Sequence, residues 1–297
     1  MRVGIVDVGA NTLRLLVASP DGRRVTRVAE DRLQLGLGND VERYGYVSAA
    51  KVVSAAETAR ELARRARKLG CERVEIAVTS PGRQSANGDE FVDELRRAAG
   101  APARILSADE EAVLAWYGAV SMLEDVPETV AVCDVGGGST QLAVGSRAGG
   151  PAWSRSIDLG SLRLTQRFLA REARPDDEMV AAARREVSGA FAAVTPPVPR
   201  LALAAGGTAR ALRRVAGCER FDGDVLEEAI ELLGAESPKR IAKHFRLDRA
   251  RAHTLLAGTI ILLEVQRRLG LPLEQAAGGV REGMALQLLA ESVSALA

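Results

Sequence analysis

Two short stretches of this chain are near copies of each other. Val3-Gly4-Ile5-Val6-Asp7-Val8-Gly9-Ala10-Asn11-Thr12 matches Val130-Ala131-Val132-Cys133-Asp134-Val135-Gly136-Gly137-Gly138-Ser139 in pattern. Each is an apolar run, then Asp, an aliphatic residue, Gly, two small or flexible residues and a hydroxyl. The apolar run suits a buried strand and the glycine a tight turn, while the hydroxyl and main-chain N–H groups can face an anion. One copy opens each half of the chain, which predicts a duplicated fold that grips phosphate from both sides.

Length and composition leave room for this. At 297 residues, 47% apolar and 27% charged, the chain can form two domains of ordinary globular make-up. A net charge of +1 argues against a broad basic face for duplex nucleic acid. Cys71, Cys133 and Cys218 are widely spaced, which reads as a reducing compartment and no zinc site. With only His244 and His253, a His-rich metal site and a Ser-His-Asp triad are both disfavoured. The N-terminus runs straight into a strand and no apolar run reaches membrane-span length, so a cytoplasmic protein without membrane contact is expected.

The first half reads as strands at 3–6, 13–18, 24–29, 74–79 and 105–106. Helices are expected after Ser48, which can cap a helix stopped by Gly70, after Asp89, ending near Gly100, and from Ser107 to about Val120. A polar stretch bearing Pro127, residues 121–129, is the expected domain boundary. The second half repeats the grammar, with strands at 130–134, 141–145, 153–158 and 201–205. Its expected helices open at Gly160-Ser161, cover 176–193 and start at Gly206-Gly207-Thr208, and 257–269 is strongly apolar on one side.

Asp7 and Asp134 each stand where an apolar strand meets a glycine turn, the place where open α/β sheets bind ligands. A carboxylate there can hold Mg²⁺ or orient water, or merely bond its own turn. Gly136, Gly137, Gly138, Ser139 and Thr140, and again Gly206, Gly207 and Thr208, are candidate phosphate loops. No Lys follows either, so Walker-type chemistry is disfavoured. In Ser107-Ala108-Asp109-Glu110-Glu111, a capping box accounts for Ser107 and Glu110, and the helix dipole for Asp109. Glu111 has no such duty and is the candidate general base. Arg83 and Arg14 follow strands or loops closely enough to reach a phosphate. Gly278 to Gly283 reads equally as a capping turn or a binding turn.

Together, Asp7 to Leu15, Thr79-Ser80 with Arg83, Ser107 to Ala112, Asp134 to Thr140, Ala205 to Thr208 and Gly279 to Gly283 resemble the exopolyphosphatase / guanosine pentaphosphate phosphohydrolase family, in the family's order over nearly the whole chain. The resemblance implies the actin, Hsp70 and sugar-kinase fold: two ribonuclease-H-like α/β domains with mixed sheets flanked by helices, facing a cleft. The domains expected are 1–124, joined by a returning C-terminal helix at about 281–295, and 125–297. The implied reaction is hydrolysis of the terminal phosphate of inorganic polyphosphate or of the 5′ γ-phosphate of guanosine pentaphosphate, with Mg²⁺ or Mn²⁺. By resemblance, Glu111 is the base and Asp134 a catalytic and metal-positioning carboxylate. Asp7 and Gln141 join Asp134 as metal residues. Asn11, Arg14, Arg83, Gly136, Gly137, Gly138, Ser139, Gly206, Gly207 and Thr208 hold phosphate. Homodimers occur in such folds, but no interface is legible here.

The chain departs from the family at Gln141, where Glu is usual, and at Ala108, where Gly is usual. Glutamine keeps the shape and one acceptor oxygen but loses the charge, which weakens metal binding and water activation. Reduced catalysis is therefore expected. The rivals are a polyphosphate- or guanosine-phosphate-binding regulator of the same fold and an ATP-dependent small-molecule kinase.

Overall fold

The computed structural model describes residues 1–169 and 173–294. The chain forms two compact units, Met1–Met122 with the segment from Gly278 onward, and Leu123–Ala277.

The first unit is built on β1 (Val3–Val8), β2 (Thr12–Asp21) and β3 (Arg24–Gln34), an antiparallel meander. It continues through α1 (Leu37–Tyr44), α2 (Ala49–Lys68), β4 (Arg73–Val78), α3 (Ser80–Gln84), α4 (Gly88–Ala99), β5 (Ala103–Ile105) and α5 (Ala108–Val120). The sheet order is β3-β2-β1-β4-β5, with β4 and β5 joining β1 in parallel. β1 and β4 are buried on both faces, as expected of strands covered by helices on each side.

The second unit repeats the plan with β6 (Val130–Val135), β7 (Thr140–Ser146) and β8 (Gly150–Ile157). Then come α6 (Ser161–Leu164), which widens into a π-helical turn at Thr165–Leu169, α7 (Asp177–Ala190), β9 (Leu201–Ala205) and α8 (Gly206–Ala216). β10 (Arg220–Phe221), α9 (Gly223–Gly234), α10 (Pro238–His244), α11 (Arg249–Leu269) and β11 (Leu273–Gln275) complete it. The order β10-β11-β9-β6-β7-β8 places β9 parallel to β6, as β4 is to β1. From Leu255 to Val265, α11 is buried on every side.

The expected C-terminal helix is α12 (Val280–Ser294), and residue 295 lies outside the described residues. Glycines set its closeness to α5. A Cβ on Gly118 would stand 1.9 Å from the Gly279 carbonyl oxygen, and one on Gly283 would stand 2.0 Å from that of Leu114. Charges tie the helix to the sheet: Glu282, 3% exposed, pairs with Arg27 at 2.9 Å, and Arg281 with Glu30 at 2.9 Å. The Gly278-to-Gly283 stretch is thus a packing and capping element, with the Gly279 N–H donating to Glu282 Oε2 at 2.9 Å. Gly118→Ala should lower the free energy of unfolding by roughly 1–3 kcal/mol, because the helices must part to admit the methyl. Urea denaturation checks this, and an unchanged midpoint would refute the close crossing.

Several local expectations need correction. Ser48 occupies the N-cap position of α2, but its hydroxyl donates to Asp40 instead of accepting from the helix. The cap position of α4 belongs to Asn87, not Asp89. The Asn87 amide bridges the Val47 backbone, and Asp89 lies in the helix's first turn. The segment after β4, to which the sequence reading assigns no element, is helix α3, with proline in its first turn, where the missing N–H costs nothing.

Candidate active site

The two Asp-x-Gly turns have the same construction. Gly9 N–H donates to the Thr12 carbonyl at 3.0 Å, and Gly136 N–H donates to that of Ser139 at 3.0 Å. Asp7 stands opposite Arg14 on one neighbour strand and Ala77 on the other. Asp134 stands opposite Gln141 and Ala205. Cross-strand partners share a face, so the two halves present Asp–Arg in the first unit and Asp–Gln in the second.

In the first unit Arg14 Nε also donates to Thr12 Oγ1 at 3.2 Å, and the Asn11 carbonyl accepts from Leu35 and Gly36. Burial raises the Asp7 carboxyl above its usual range; Arg14 and Arg281 oppose the rise and Glu282 adds to it. Asp7 therefore stands among charges of both signs, Arg14 and Arg281 against Glu282.

The first turn of α5 divides its acids by duty. Ser107 and Glu110 form the capping box, with bonds of 3.1 and 2.8 Å, and Glu110 also meets Arg104 at 2.8 Å. Burial works against the charged form of Glu110, yet the bonds from Ser107 and Arg104 outweigh it and hold the carboxyl low. Glu110 is therefore a weak proton acceptor. Glu111 is 8% exposed and pairs with Arg83, Nη2 to Oε2 at 2.7 Å, while Arg83 Nη1 donates to the Leu106 carbonyl at 2.8 Å.

In the second unit the carbonyls of Gly136 and Gly137 accept from Ser161, Leu162 and Arg163 at the start of α6. Because the peptides are trans, the N–H groups of Gly137 and Gly138 point away from α6. Gly206 has φ +83°, and a Cβ there would lie 2.3 Å from Asp134 Oδ1, so the carboxylate rests against the start of α8. The N-cap position of that helix is Ala205, which has no polar side chain with which to cap it. Thr208 is turned inward, its hydroxyl donating to the Val135 carbonyl at 2.8 Å. Burial and neighbouring Asp134 push the Cys133 thiol far up, so it stays protonated and is no nucleophile.

Gln141 is 1% exposed. Its amide nitrogen donates to Ser139 Oγ at 2.9 Å and Ser156 Oγ at 3.0 Å, which leaves its buried Oε1 without a hydrogen-bond partner among the described residues. Ser156 was not singled out from sequence, since its place opposite Gln141 depends on a hairpin register that residue types do not reveal. An orphaned carbonyl oxygen beside a carboxylate is a hard-donor pair that fits Mg²⁺ or Mn²⁺. Among the described residues no group of three or more His, Cys, Asp or Glu forms a cage. Mg²⁺ is ordinarily held by one or two carboxylates, with waters and substrate phosphates. No helix among the described residues is long and apolar enough to cross a membrane.

Two mixed sheets, each an antiparallel meander extended by parallel strands and flanked by helices, define a duplicated ribonuclease-H-like protein. The chain belongs to the Ppx/GppA phosphatase family, whose pattern matches residues 16–292. It is 29% identical to Exopolyphosphatase 2 of Mycobacterium tuberculosis over 90% of this chain and 91% of that protein. In fold it is similar to an exopolyphosphatase from Cytophaga hutchinsonii (TM-score 0.86, 17% identity, 98% of each chain). It is likewise similar to the Aquifex aeolicus Ppx/GppA family member (TM-score 0.83, 22% identity, 98% of each chain).

Proposed function

We propose that this chain releases the terminal phosphate of inorganic polyphosphate, or the 5′ γ-phosphate of guanosine pentaphosphate, by attack of water. The observation that carries this is Glu111, a nearly buried carboxylate that capping does not use, in a chain of the Ppx/GppA phosphatase family. Water oxygen bonds to the terminal phosphorus, the bridging P–O bond breaks, and the water proton passes to Glu111. The shortened chain leaves with the bridging oxygen. The N–H groups of Gly137, Gly138 and Gly207 and the Ser139 hydroxyl stabilise the charge on the transferring group, with Asn11 and Arg14 binding phosphate as well. Asp134 and Gln141 Oε1 are the residues that would hold Mg²⁺ or Mn²⁺, which supplies charge neutralisation at the phosphate oxygens.

The test is phosphate release from polyphosphate and from guanosine pentaphosphate, with and without Mg²⁺ and with no acceptor present. Release that depends on the metal is expected. Tight binding without release would favour a regulator of the same fold, the second possibility that the neutral Gln141 supports. Transfer from ATP to an added acceptor would favour a kinase. Gln141→Glu should bind Mn²⁺ about 10-fold more tightly and raise phosphate release, since it restores a charge beside Asp134. A fast wild type that this change does not improve would remove Gln141 from the site.

A further inference from the structure

We infer that Arg83 positions Glu111 rather than gripping substrate, an inference that rests on Glu111 being the base. Arg83 lies on α3, and its guanidinium fork closes on two points at the start of α5: the Leu106 carbonyl at 2.8 Å, just ahead of the cap, and Glu111 at 2.7 Å. Its side chain is 17% exposed and that of Glu111 10%, so the pair is largely withdrawn from water. One arm of the fork is pinned by the Leu106 carbonyl, so the planar frame holds the other arm's charge at a fixed point against the Glu111 carboxylate, which a lysine ammonium cannot do.

The consequence for chemistry is direct. At this burial a carboxylate stripped of its counter-charge either takes up a proton or turns toward solvent, and either event removes it as a base. The ligand makes matters worse, because a polyphosphate chain brings several negative charges toward Glu111. Arg83 offsets that repulsion and keeps an ionised, aimed carboxylate beside a polyanion. It acts through Glu111, so its contribution vanishes when Glu111 can no longer accept a proton.

A double-mutant comparison tests this with inorganic tripolyphosphate as the probe. The kcat for phosphate release and the Kd are measured for wild type, Arg83→Gln, Arg83→Lys, Glu111→Gln and Arg83→Gln/Glu111→Gln. Arg83→Gln should lower kcat by roughly 30-fold while moving Kd by less than about 3-fold, since the loss falls on the base. In the Glu111→Gln background the same change should cost less than about 3-fold, the mark of residues acting as a unit. Arg83→Lys should fall between, keeping the charge but not the fork. If Arg83→Gln does not fold, Arg83→Lys in both backgrounds carries the same comparison. Equal losses in the two backgrounds, or a Kd weakened about 10-fold or more, would make Arg83 a phosphate ligand and overturn the inference. A wild type that hydrolyses tripolyphosphate while these losses multiply leaves the proposed function standing and sinks only this inference. A wild type that neither binds nor hydrolyses it sinks both.

Discussion

Glu111→Gln is expected to lower kcat for phosphate release by roughly 100-fold or more, the usual scale for removing a general base. Glutamine matches the shape of glutamate and still offers Arg83 an acceptor oxygen, but it cannot take a proton from water. The neighbouring acid cannot take over, because Glu110 is committed to the Ser107 N–H and to Arg104. Substrate affinity should hold or improve, since a negative charge near the polyanion is gone. Stability should fall modestly, because the Arg83 charge loses its counter-ion. Steady-state kinetics with a thermal melt separates these effects. A folded variant with undiminished kcat would remove Glu111 from the chemistry.

Asp134→Asn should have an effect of similar size by a different route. Asp134 Oδ1 lies against Gly206 at the start of α8, and the residue stands opposite Gln141 in the sheet. With Asn here, the facing positions on β6 and β7 would present two neutral amides and no charged oxygen. Half-saturation by Mn²⁺ should then shift upward by about 10-fold or more, with kcat falling roughly 100-fold. Saturating metal should recover part of the loss, whereas it recovers none in Glu111→Gln. An Asp134→Asn variant with unchanged metal titration would assign the carboxylate to turn structure alone.

Much of this arrangement was legible in the residues because it rests on local rules. Gly9 and Gly136 announce identical turns, and the apolar runs before them give β1 and β6. Ser107 with Glu110 announces the start of α5 and singles out Glu111 by elimination. What escaped notice depends on distant partners. The hydroxyl of Ser48 suits a cap, yet Asp40, eight residues back, draws it away, and α1, which carries Asp40, has no strong signal of its own. The glycines around Gly279 read as a turn because only the approach of α5 reveals why a Cβ is forbidden there. The pairing of Arg83 with Glu111 was not legible either, because the two are far apart in sequence and only the fold brings them together. The Asp–Arg and Asp–Gln rows and Ser156 come from strand register, which composition does not encode.

The most direct measurement is hydrolysis of tripolyphosphate in ¹⁸O-labelled water with Mg²⁺, followed by mass analysis of both products. Water attack at the terminal phosphorus predicts one solvent oxygen in the released orthophosphate and none in the pyrophosphate left behind. Label in the pyrophosphate instead, or orthophosphate released without solvent oxygen, would contradict the account.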